Sequence, residues 1–145
     1  MMARTCSNTD GLERIVSPLT PHAIRSLLQP HVPPCVSLYQ PTHRHYPDNR
    51  QDPIRFKNLV RQVDASLRPR YRDVDELLAP FRALAEDAAF WNHTIDGLAV
   101  LGARGLFLVF LMRRPVRELA RAADTFHVKP LLSVVRSATR IRCPV

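Results

Sequence analysis

The sequence predicts a single α/β domain in which a mixed β-sheet of about four strands packs against two or three helices. Three observations lead there. Short apolar runs bounded by proline or glycine, CVSLY at 35–39, LAVLGA at 98–103 and LFLVFLM at 106–112, read as strands. Between the first and second run, Ile54 to Leu67 and Asp73 to Leu84 place their apolar residues on one stripe at helical spacing. A chain of 145 residues holds one such domain with a proper core and is too short for two ordinary ones.

Residues 1–17 show no periodicity and read as a disordered leader. Thr20 and Pro21 form a cap-and-proline start for a short helix, with Ile24, Leu27 and Leu28 on one side and Pro30 as the stop. Pro33, Pro34 and Pro41 bracket the first strand. The loop Pro41 to Arg50 (PTHRHYPDNR) carries two histidines and two arginines and almost nothing that favours burial, so it belongs at the surface. Asp52 followed by Pro53 fits an N-cap and first helical position, because a carboxylate accepts orphan N–H groups and proline needs no acceptor there.

The helix that follows puts Phe56, Leu59, Val60, Val63 and Leu67 on one face, leaving Arg55, Lys57, Asn58, Arg61 and Gln62 off it. Pro69 breaks the pattern. It resumes with Val74, Leu77, Leu78, Phe81 and Leu84, and the interior Pro80 predicts a bend. Phe90 and Trp91 read as aromatic anchors of the helix end on the sheet.

Asp96 and Gly97 turn the chain into LAVLGA, and the GARG link to LFLVFLM predicts a β-hairpin. The unbroken hydrophobicity of the second run predicts a central strand covered on both faces. Residues 113–123 are open between a helix, from the spacing of Val116, Leu119, Ala120 and Ala123, and an extended segment. FHVKPLL reads as a short strand or edge segment ending at Pro130. The domain thus spans 18–132, and 133–145 is an atypical basic tail.

Composition narrows the function classes. A hydrophobic fraction of 46% argues against wholesale disorder, and 13 prolines against 4 glycines describe loops stiffened by proline. The net charge is +8, with 19 of the 21 positive residues arginine, a bias that genome base composition also produces. Charge is segregated. Residues 50–72 carry seven positive and two negative groups, 73–96 one and six, 113–142 eight and two. Two basic zones flanking an acidic one suit a polyanion, most naturally RNA or the ribosome, since phosphate neutralisation supplies sequence-independent affinity; solvated helix faces are the bland alternative.

Three widely separated cysteines, Cys6, Cys35 and Cys143, without a CxxC, suggest reduced thiols in a cytoplasmic protein. No signal-peptide pattern begins the chain, and Leu98 to Met112 is too short and too interrupted by Arg104 to span a membrane, so no membrane partner is expected.

Catalytic, metal and cofactor sites are not expected. Ser37, His43 and Asp52 are triad residue types, but Ser37 lies within a strand without a nucleophile elbow. Cys35, His43 and His45 match no closed zinc spacing, and no phosphate-cradling glycine loop exists.

Four motifs in order, CVSLYQPTHR, QDPIRFKNLV, FWNHTIDGLAV and FHVKPLL, together resemble the N-terminal domain of the bacterial archaeo-eukaryotic release factor family, over about Thr20 to Leu132. The resemblance implies a role in translation termination or ribosome rescue, with rRNA, tRNA or the ribosome as partner, and favours an extended segment at 113–123. It also implies contacts with downstream release-factor domains or another protein chain, since members continue into further domains. For the tail, a truncated or frameshifted gene and a naturally short protein whose tail binds something are both open. Peptide release in that ancestry needs a Gly-Gly-Gln tripeptide, and Gly11, Gly97, Gly102 and Gly105 are nowhere adjacent, so the expectation is not an enzyme.

The expected functional surface is therefore an RNA- or anion-binding one at the loop and helix start: Thr42, His43, Arg44, Arg50, Gln51, Arg55, Lys57 and Asn58. The alternative is a docking or protein-interaction domain without nucleic-acid binding.

Overall fold

The computed structural model describes residues 16–133; most of the leader and tail expected from the sequence lies outside them. The elements are α1 (Pro21–Leu28), β1 (Cys35–Pro41), a 3-10 turn (Asp48–Gln51), α2 (Asp52–Leu67), α3 (Val74–Ala85), the single-turn α4 (Ala88–Trp91), β2 (Gly97–Ala103), β3 (Leu106–Met112) and β4 (Leu119–Ala123). The four strands form one sheet in the order β3-β2-β1-β4. Its three ladders are antiparallel, and a parallel bridge from Val16 to Val109 adds to the outer side of β3.

Alternation along the strands builds two cores. Val36 and Leu38 of β1, Leu98 and Val100 of β2 and Val109 of β3 face α2 and α3, meeting Phe56, Leu59, Val63, Leu78 and Phe81. Cys35, Tyr39, Ala99, Leu101 and Phe110 face the other way, onto Ile24 and Leu27 of α1 and onto Phe126, Val128 and Leu131. Burial of each large apolar side chain contributes about 1.5–3 kcal/mol, so the α2 stripe is a major stabilising element. At the far end of that stripe, Arg68 and Arg82 each bridge Asp64 and Asp75 at 2.7–3.0 Å, clasping α2 to α3.

Several sequence expectations need correction. LFLVFLM forms the edge strand β3, and the central strands are β1 and β2, which are buried almost throughout. An edge strand tolerates this composition because both faces are layered and Val16 and Ser17, expected in the leader, flank it; the Ser17 N–H donates to the Val109 carbonyl at 2.8 Å. FHVKPLL is not a strand. Phe126 and Val128 pack beneath the sheet, and residues 129–133 turn helical, where Pro130 suits a first turn. Leu28, placed by spacing on the buried stripe of α1, is 60% exposed, because this short helix turns Ile24 and Leu27, with Ala23 beside them, toward the sheet.

Residues 119–123 resolve as strand: Ala120 and Ala122 face one core and Leu119 the other, a period of two. The expected hairpin forms, with Ala103 opposite Leu106 and Gly105 at φ 76°, where a side chain would be strained. Helix α3 continues through Pro80 as one element. Phe90 and Trp91 are core anchors: the Trp91 indole N–H donates to the Leu84 carbonyl at 2.8 Å and its ring packs on Phe56 and Phe90.

Candidate functional site

The loop from Thr42 to Gln51 leaves β1 at the end where β2 begins, and backbone hydrogen bonding holds its root. The Thr42 N–H donates to the Asp96 carbonyl at 3.1 Å and its hydroxyl to the Ile95 carbonyl at 2.8 Å, so Thr42 is a buried tie. Thr94 reaches the His43 carbonyl from the same side, at 3.4 Å.

The most constrained group in the loop is a pair that the sequence offered only as triad residue types. Asp52 is 0% exposed, and its two carboxylate oxygens accept from the His43 backbone N–H at 2.8 Å and pair with the His43 Nδ1 at 2.8 Å. The expected helix-capping role is thus corrected: Asp52 is already helical, Gln51 holds the cap position without a side-chain cap bond, and the carboxylate faces back into the loop. A carboxylate this buried needs strong donors, and a charge-assisted backbone bond plus an imidazole supplies them. Gln40 at the end of β1 adds a donation from Nε2 to the Asp52 carbonyl at 3.0 Å, while its own buried Oε1 has no hydrogen-bond partner among the described residues. With Nδ1 held inward, His43 presents Nε2 outward from a half-exposed ring.

The serine of the triad residue types is not free to join this pair. Ser37 is buried mid-strand and its hydroxyl accepts from the His127 N–H at 2.9 Å. Cys35 lies at the opposite end of β1, its thiol donating to the Asp124 carbonyl at 3.5 Å and pushed up in pKa by burial and by Asp124. Cys35 is thereby separated from His43 and His45, the two residues considered with it for a metal.

The predicted binding residues do not form one surface. Arg44 folds onto Asp96 as a two-pronged pair at 3.0 and 3.1 Å, which holds the Asp96 carboxyl below its usual range. Arg55 turns toward Glu118 ahead of β4, at 3.4 Å, and Lys57 turns to Glu86 at the end of α3, at 3.0 Å. Two residues apart on a helix, they point in nearly opposite directions. Asn58 is exposed, its side-chain oxygen accepting from Arg61 at 3.4 Å, and Gln51 is exposed. Arg44, Arg55 and Lys57 are thus each engaged by an acid.

Arg50 is different. It makes no ion pair among the described residues; its guanidinium lies 5.8 Å from the centre of the Tyr46 ring, with Nη1 3.5 Å from the phenol oxygen. Arg50 and Lys57 line an open groove of about 510 Å³ running from Tyr46 and Asn49 of the loop to Trp91 and Asn92 of α4 and its cap. Tyr46, Asn49 and Asn92 were missed by the sequence reading, and only the exposed aromatic within a polar loop could have signalled them. Arg113, Arg114, Arg117 and Arg121, before and along β4, are exposed and make no salt bridge among the described residues.

Among the described residues no helix is long and apolar enough to cross a membrane. No model of a known protein family matches the chain, and no curated protein matches it.

Proposed function

We propose that this chain is a non-catalytic RNA- or ribosome-binding domain of a release-factor-like protein, acting in the cytoplasm in translation termination or ribosome rescue. The observation that carries the reading is the groove beside the anchored loop, in which Arg50, free of an acidic partner among the described residues, stands next to an exposed aromatic ring. An unpaired arginine beside a π-surface is the pairing that single-stranded nucleic acid uses, phosphate on the cation and base on the ring. The four release-factor-like motifs and the exposed Arg113, Arg114, Arg117 and Arg121 support the same reading.

The test is binding of the purified chain to single-stranded RNA and to ribosomes across a salt series. Each phosphate contact contributes a slope of about −0.7 in log affinity against log salt for a single strand. Arg50→Ala is expected to flatten the slope by about that amount, whereas an Arg44, Arg55 and Lys57 triple alanine variant flattens it less than three free cations would, because each is engaged by an acid. Binding that is absent, or indifferent to salt and to Arg50, refutes the reading.

A second reading, a docking domain without nucleic-acid binding, draws support from the outer edge of β4, which pairs with no strand among the described residues. It would show as self-association by light scattering without affinity for RNA.

A further inference from the structure

Tyr46 is 72% exposed, the most exposed large hydrophobic side chain among the described residues. The ring is therefore accessible to a ligand from solvent. It is not a loose ring on a loose loop. The loop is tied before it by the His43–Asp52 pair, and the turn that carries it is closed by the Asn49 N–H to His45 carbonyl and Arg50 N–H to Pro47 carbonyl bonds, each 3.0 Å. Arg50 meets the ring toward its hydroxyl end, with Nη1 3.5 Å from the oxygen, which leaves the rest of the aromatic surface open.

Tyr46 lines the groove together with Asn49 and Arg50 of the loop and with Lys57, Glu86 and Asn92. Asn49 and Asn92 supply amide groups able to donate and accept, the chemistry that reads a base edge. Lys57 is engaged by Glu86 at 3.0 Å, so Arg50 is the cation available to a phosphate.

We infer that Tyr46 is a stacking platform for an unpaired nucleobase, with Arg50 holding the adjacent phosphate and the two asparagines facing the base edge. The ligand class is single-stranded RNA, and the inference rests on the RNA-binding reading above while naming the residue and contact that realise it. Duplex RNA would not serve, because its bases are already stacked on one another.

The experiment uses a single-stranded RNA oligonucleotide carrying 2-aminopurine, whose fluorescence is quenched on stacking, and inorganic polyphosphate as a polyanion without bases. Wild type, Tyr46→Ala, Tyr46→Phe and Arg50→Ala are compared, with far-UV circular dichroism confirming the fold. Tyr46→Ala is expected to weaken RNA binding by roughly 5- to 100-fold, the loss of one base stack, and to leave polyphosphate binding unchanged. Tyr46→Phe keeps the ring and so keeps both RNA affinity and quenching; Arg50→Ala weakens both ligands. RNA that binds Tyr46→Ala as tightly as wild type overturns the inference and leaves the RNA-binding reading standing, as does a Tyr46→Ala loss shared equally with polyphosphate. No RNA binding by wild type overturns both.

Discussion

Replacing Asp52 by asparagine tests whether the His43–Asp52 pair holds the loop. The carboxylate is 0% exposed and makes two contacts of 2.8 Å, one from the His43 backbone N–H and one with its ring nitrogen. A hydrogen bond to a charged group is worth about 1.5–3 kcal/mol. Asparagine keeps one acceptor oxygen but sets an NH2 where the other stood, so Asp52→Asn is expected to cost about 1.5–3 kcal/mol, the value of one such bond. Asp52→Ala strips both donors of their partner and leaves a void, at about 3–5 kcal/mol. His43→Ala leaves a buried carboxylate with one donor and also destabilises, while His43→Ala with Asp52→Asn is expected to lose less than the sum, because the two groups serve each other. Urea unfolding followed by the fluorescence of the single tryptophan, Trp91, reads the effect. With a slope of about 2 kcal/mol per molar urea, Asp52→Asn lowers the midpoint by roughly 1 M. A variant within about 0.5 kcal/mol of wild type, or strict additivity in the double variant, would refute the view that this pair anchors the loop.

Two further outcomes are expected. Hydrogen bonds from Arg68 and then Arg82 push the Asp75 carboxyl down to about 2 from its ordinary 3.8. A depressed folded value means the stabilisation is complete above the ordinary value and is lost as pH falls from 3.8 toward 2. The Arg68→Met, Arg82→Met variant should therefore lose less stability than wild type over that window in acid-titrated urea melts; equal losses would show that the cluster contributes nothing. In the groove, Glu86→Gln frees Lys57 from its 3.0 Å partner, so RNA affinity is expected to rise and the salt dependence to steepen by about 0.7; unchanged affinity would exclude Lys57 from the RNA contact.

The candidate site was legible in part. The loop between β1 and α2 was legible as structure, since a polar stretch between an apolar run and a helical stripe announces a surface connection. The residues within it were sorted only in three dimensions. Arg44 and Asp96 are 52 positions apart and Arg55 and Glu118 are 63 apart, so counting charge along the chain overestimated how much of it is free. Tyr46 passed unnoticed because one aromatic in a loop carries no periodicity, and its meaning depends on Arg50 and on the α4 residues across the groove.

By itself the sequence determined the elements whose signals are local. The α2 stripe, the Thr20 cap of α1 and the hairpin at Gly105 follow from side-chain spacing and backbone preference within a few residues. Tertiary structure alone decided that LFLVFLM lies at the edge while CVSLY runs through the middle, because apolar composition records coverage of the faces and not hydrogen bonding along the edges. It likewise decided that Asp52 turns from its helix to His43. A buried carboxylate takes the strongest donors within reach, and which donors those are depends on how the β1 loop folds back over the start of α2.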